Sequence, residues 1–150
     1  MKNPPDARRI LSEVLSGQRL AVLATQDARQ PYTSLVAFAA TPDLKFLLFA
    51  TARETRKYAN IKANSRVAML MDTRSNRDAD FHAAVAITAT GAAVEARGAQ
   101  RARLQKAFLA KHPHLDGFVR SPTCALIRVK VKHYYIVSNF QSVTHLQVKP

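Results

Sequence analysis

Runs of β-type residues follow one another along this chain with short polar connections, and that spacing constrains the fold more than any other feature. Residues 19–25 and 32–40 are separated only by Gln26-Asp27-Ala28-Arg29-Gln30, which reads as a hairpin loop. Thr41-Pro42-Asp43 punctuates the chain before a third apolar run at 45–50. A fourth run lies at 66–72, and a fifth at 81–96 is long enough to bend as it crosses a barrel. In a sixth, at 125–137, Ile127, Val129 and Val131 alternate with Arg128, Lys130 and Lys132, giving one dry and one wet face. Strands joined mainly by hairpins, without alternating βα units, argue against a doubly wound parallel sheet. Closure removes exposed edges, so the expected fold is mainly β with peripheral helices, a six-stranded antiparallel barrel.

Three helices are expected around it. Asp6, after Pro4-Pro5, suits an N-cap, and Ile10, Leu11, Val14 and Leu15 follow at helical spacing until Gly17. Residues 54–63 carry Tyr58 and Ile61 three apart, with Asn64 as a left-handed C-cap. Residues 100–111 turn Leu104, Phe108 and Ala107 inward, and His112-Pro113 ends that helix. Residues 73–79 and the stretch holding Asp116-Gly117 and Ser121-Pro122 read as loops. At 150 residues, with no internal repeat, one domain over 1–150 is expected.

The single cysteine, Cys124, forms no internal disulfide and fits a reducing compartment, packing as a small apolar residue. The first ten residues carry prolines and charges instead of an apolar signal core, and no apolar run approaches a membrane span, so a cytoplasmic location is the expectation. Charge is the unusual property: the net is +13, shared almost evenly by the two halves of the chain. Such a field draws anions, whether nucleic acid, an acidic partner or a phosphorylated small molecule.

Chemistry concentrates where the third strand hands over to the second helix. In Thr51-Ala52-Arg53-Glu54-Thr55-Arg56-Lys57, three cations and one acid crowd a helix start. That is the wrong sign for the positive end of a helix dipole unless an anion is also present. Backbone N–H groups, two threonine hydroxyls and cationic heads would then meet phosphate oxygens. The other reading, a solvated basic helix face, stands beside it.

Thr51, Thr55, Arg56 and Lys57, followed by Asn60-Ile61 and Asn64-Ser65-Arg66-Val67-Ala68, resemble the pyridoxamine 5′-phosphate oxidase-like family of FMN-binding split β-barrels. The resemblance implies that Thr51, Thr55, Arg56 and Lys57 hold the phosphate and ribityl chain of FMN, with Arg53 adding to the cradle. It also implies that Pro31-Tyr32-Thr33-Ser34-Leu35-Val36 runs along the flavin ring, which adds Tyr32, Thr33 and Ser34 as cofactor residues. Where the true vitamin B6 oxidases carry Arg and Lys, this chain has Ser34 and Ala39, and a flavin-contacting Gln is replaced near Val85. The resemblance is therefore to the short single-domain members. It implies a homodimer with the cofactor at the subunit interface and an FMN-dependent oxidoreductase acting on an unidentified small molecule.

Among the remaining residues, His82, on the strand opened by Asp80-Phe81, is placed to approach a bound ring. Neither His112 and His114 nor the scattered His133 and His145 has metal-ligand spacing, so no metal is assigned. Tyr134, Tyr135 and Phe140 are candidates for ring stacking or for core and dimer contacts. Arg128, Lys130 and Lys132, with Arg101, Arg103, Lys106 and Lys111, offer a phosphate-tracking groove. A basic barrel binding nucleic acid without redox activity is the alternative, as is a family variant holding haem or a deazaflavin.

Overall fold

In the computed structural model, which describes residues 4–139 and 142–150, seven strands form one antiparallel sheet. They are β1 (Leu20–Asp27), β2 (Gln30–Ala40), β3 (Phe46–Ala52), β4 (Arg66–Asp72), β5 (Ala86–Glu95), β6 (Cys124–Ser138) and β7 (Ser142–Gln147). The order is β3-β2-β1-β4-β5-β6-β7, and a further β3–β6 pairing closes the first six into the expected barrel. Outside the barrel lies β7, which the sequence pattern did not disclose; it pairs with β6 from His133 to Ser138, beyond the stretch of β6 that pairs with β3.

Alternation fills the interior with Leu23, Phe38, Leu47, Phe49, Met69, Met71, Ile87, Ile127 and Tyr134, all fully buried. The first helix, α1 (Pro4–Gly17), plugs this core with Leu11 and Leu15. It begins at Pro4, whose fixed φ suits a helix start, so Asp6 sits in the first turn and is not the cap. A second cluster lies outside the barrel: Leu104 and Phe108 of α4 (Gly98–Lys111) and Val119 of α5 (Asp116–Arg120) pack on Ala39, Leu48 and Leu126. Ala107 is exposed, contrary to expectation, because Leu104 and Phe108 already span the buried stripe. A 3-10 turn at Pro113–Leu115 and α5 occupy the stretch read as loop.

Three local features differ from the expected ones. The β1–β2 loop is only Ala28-Arg29, both left-handed (φ 45° and 75°), the two-residue turn that matches strand twist. The fifth strand is shorter than 81–96. Asp80–Ala83 forms the short helix α3, because the Asp80 carboxylate accepts the backbone N–H groups of Ser75, Asn76 and Arg77 and closes the preceding loop. Asn64 is extended (φ −147°), not left-handed, since the chain enters β4 two residues later.

The alternation in β6 also breaks once. Thr90 pairs with His133 but Gly91 pairs with Val131, which leaves Lys132 as an extra residue in a bulge. Burial accordingly shifts phase, from Ile127, Val129 and Val131 to Tyr134, Ile136 and Ser138. Gly91 is required there: a Cβ would lie 2.2 Å from the Lys130 carbonyl oxygen.

Candidate functional site

The second helix, α2 (Arg56–Ala63), starts at Thr55, whose Oγ1 accepts the Tyr58 N–H as an N-cap. Thr51, buried at the end of β3, places its Oγ1 2.9 Å from Thr55 Oγ1. The two hydroxyls thus form one polar unit at the strand-to-helix junction. The N–H groups of Arg56 and Lys57 belong to the helix's first turn and have no intrahelical acceptor. A cleft of about 380 Å³ opens here, lined by Thr51, Thr55 and Lys57 on one side and by Leu35, Ala37 and Phe118 on others. Both hydroxyls donate to the Ala52 carbonyl, at 3.0 Å from Thr51 and 2.9 Å from Thr55, so the donors that face the cleft are the first-turn amides and the Lys57 ammonium, and with the apolar wall they suit a phosphate ester with a flat apolar portion.

The three junction cations point three ways. Only Lys57 lines the cleft. Arg56, with a 62% exposed side chain, lies 3.8 Å from Asp27 and over the Tyr32 ring at 5.5 Å. Arg53 turns to the opposite side, donating to the Pro122 carbonyl at 2.8 Å and to Glu95 at 2.7 Å. Arg53 is thus committed to the scaffold, whereas an exposed pair such as Arg56–Asp27 contributes roughly 0–1 kcal/mol and yields readily to an anion.

The other candidate residues are dispersed. Thr33 lies on the outer face of β2 with Leu35 and Ala37, and Tyr32 is partly exposed beside it. Ser34 shares the inward face with Val36 and Phe38, and its buried Oγ has no hydrogen-bond partner among the described residues. His82 is exposed on α3, not on a strand, and does not line the cleft.

One polar cluster escaped the sequence reading. Glu95, at the end of β5 with a side chain only 6% exposed, accepts from Arg53, from the Tyr58 hydroxyl at 2.6 Å and from Arg97 at 3.3 Å. Burial alone would raise its pKa, but the hydrogen bonds from Arg53 and Tyr58 outweigh it and hold the carboxyl below its usual range. The cluster fastens the start of α2 to β5. No local signal predicts it, because the partners are 42 and 37 residues away.

Cys124 is buried, and desolvation raises its pKa. His112 is also buried, its Nε2 2.7 Å from the Phe38 carbonyl oxygen. His133 Nδ1 and His145 Nε2 lie 2.9 Å apart across β6 and β7, with Tyr135 stacked on His145. Tyr134 is core and donates to the Leu44 carbonyl, while Phe140 lies outside the described residues. Among the described residues no three His, Cys, Asp or Glu side chains converge as metal ligands, and no helix is long and apolar enough to cross a membrane. The expected basic groove is divided: Arg101 donates to the Val119 and Cys124 carbonyls, and Lys132 lines a different cleft.

Comparison with known proteins agrees with this architecture. The profile of the pyridoxamine 5′-phosphate oxidase family matches residues 9–138. No curated protein matches the chain. Among solved structures, a haem binding protein from Mycobacterium smegmatis is 14% identical with a TM-score of 0.83, over 98% of this chain and 60% of that one. The protein Atu2129 of Agrobacterium tumefaciens, of unknown function, is 26% identical with a TM-score of 0.78, over 92% of this chain and 59% of that one. A FAD-binding protein from Mesorhizobium loti is 18% identical with a TM-score of 0.65, over 83% and 89% of the two chains. The chain thus spans about 60% of the length of the first two.

Proposed function

The chain belongs to the pyridoxamine 5′-phosphate oxidase family, and from that premise we propose that it is an FMN-binding flavoprotein that exchanges electrons or hydride with a small molecule. The observation that carries the proposal is the Thr51–Thr55 hydroxyl pair beside Lys57 at the start of α2, opening on the apolar wall of Leu35 and Ala37. Thr51, Thr55, Lys57 and the first-turn amides would hold the flavin phosphate, and Arg56 would swing to it from Asp27. Leu35, Ala37 and Thr33 would border the ring, excluding water from one face. When bound, the flavin supplies the redox chemistry, and the protein supplies position and electrostatics. A haem-binding and a FAD-binding protein share the fold, so the identity of the cofactor is the first thing to measure.

A homodimer with the cofactor at its interface is part of the same proposal. Register places Leu35, Val22, Leu70, Thr88 and Tyr135 in one row across five neighbouring strands, on the outside of the barrel. Leu35 is 65% exposed and Tyr135 37%, and a row that is apolar but for Thr88 suits a second copy. Light scattering should return twice the 16.6 kDa chain mass.

The purified protein is expected to be yellow and to release FMN on denaturation, identified by mass spectrometry. Lys57→Glu should abolish FMN retention and Arg56→Glu should reduce it at least ten-fold, with circular dichroism unchanged. Full flavin occupancy in both variants would overturn the phosphate assignment.

A further inference from the structure

Phe118, at the cleft beside α2, is 45% exposed, whereas Phe38, Phe49 and Phe108 are fully buried. Its neighbour Val119, not Phe118, belongs to the cluster that packs α5 on Leu48 and Leu126. An exposed apolar side chain is by itself ordinary. What distinguishes this one is the cleft it borders and the way its backbone is held. The cleft is divided chemically. Lys57 and the first-turn amides supply charge and donors at the junction, whereas every other lining residue apart from Thr51 and Thr55 is apolar, Phe118 and Leu115 among them. Leu35 also belongs to the apolar row offered to a second copy. The cleft therefore opens at the edge of that face, and Phe118 borders it from an element outside the row.

The backbone that carries Phe118 is tied down from several directions. The Arg101 guanidinium of α4 donates to the Val119 and Cys124 carbonyls, both at 3.0 Å. The Arg53 side chain donates to the Pro122 carbonyl at 2.8 Å, and its backbone N–H donates to the Thr123 carbonyl at 3.0 Å. The β3–β6 register pairs Ala52 with Cys124, which brings the chain leaving α5 alongside the residues that precede α2. Arg53, absent from the phosphate end of the cleft, thus secures the segment behind its apolar wall. A ring held in place while nearly half in water suits a planar apolar partner, because little order remains to be lost on binding.

We infer that Phe118 is a ring-contacting residue of the cofactor cleft, so that α5 sets affinity for the isoalloxazine while Lys57 and the first-turn amides set affinity for the phosphate. The inference rests on the flavin reading of this cleft and gives it a second wall, opposite in chemistry to its charged end. Contact with the ring removes exposed aromatic surface of Phe118 from water without requiring any polar group to be desolvated.

The test separates the two ends of the ligand. FMN and riboflavin share the ring and differ in the phosphate, and both are titrated by calorimetry into the full chain freed of bound flavin. Phe118→Ala should lower affinity for the two by the same factor, at least ten-fold, with the melting temperature of the flavin-free protein unchanged. Phe118→Tyr, which keeps an aromatic ring at this position, should bind both as wild type does. Lys57→Glu should lower affinity for FMN and leave that for riboflavin unchanged. Equal riboflavin affinity in wild type and Phe118→Ala would overturn the inference. So would a loss confined to FMN, which would put Phe118 at the phosphate. Weakened riboflavin binding in Phe118→Ala, with FMN affinity intact in Lys57→Glu, supports the wall and refutes only the phosphate assignment. Failure of the wild type to bind either flavin overturns the cofactor reading and the inference with it.

Discussion

At the residue scale, Glu95 shows how one buried carboxylate sorts the cations of a basic protein. By accepting from Arg53, Tyr58 and Arg97 it removes Arg53 from the junction and leaves Lys57 to line the cleft. Glu95→Gln keeps the size but loses the charge, so the Arg53 contact weakens and one amide N–H faces donors. About 1–3 kcal/mol of stability should be lost, nearer the lower figure because the Arg53 side chain is a third exposed. Urea denaturation checks this, and an unchanged midpoint would show that Arg53 and Tyr58 find water equally good. The junction motif was legible at this scale, since Thr51, Thr55 and Lys57 do meet at one cleft. The direction of Arg53 was not, because a residue in β5 sets it.

Hairpin chemistry belongs to the element scale. The β1–β2 turn places Ala28 at φ 45°, a conformation that costs an ordinary L residue about 1–2 kcal/mol. Asparagine tolerates it better and favours this turn type. Ala28→Asn should therefore stabilise the protein by about 0.5–1 kcal/mol, measured as a higher melting temperature; a lower one would mean that the new amide disrupts the turn. Strand identity was readable from alternation at 66–72 and at both hairpin strands. It held for 86–95 but failed at 81–85, where β-type composition hid a helical turn organised by Asp80, and at β7, whose sequence lacks a clean alternating run.

On the scale of the whole molecule, burial couples stability to pH. His112 packs between Phe108 and the Phe38 carbonyl, and desolvation depresses its pKa below the ordinary value. As pH falls through the unfolded value of about 6.5, the unfolded chain binds the proton first, so stability declines until the folded value is also passed. Lys111, desolvated to about 8 and donating to the Leu15 carbonyl, works in a higher window: stability from it rises between pH 8 and about 10.5. Denaturation at pH 7.5 and 5.5 should show the acid loss in wild type and a smaller loss in His112→Gln. Equal losses would assign the acid sensitivity to other groups.

Periodicity, turn residues and the junction motif determined locally that this chain is a barrel with peripheral helices and that polar chemistry gathers where β3 meets α2. Those signals live within a few residues of one another, so sequence order carries them. Closure of the barrel through β3–β6, the capture of Arg53 by Glu95, and the meeting of Leu35 with Phe118 at one cleft were decided only by the tertiary structure. Each depends on strand register between segments tens of residues apart, and a single bulge shifts that register by one residue and turns a side chain to a new face.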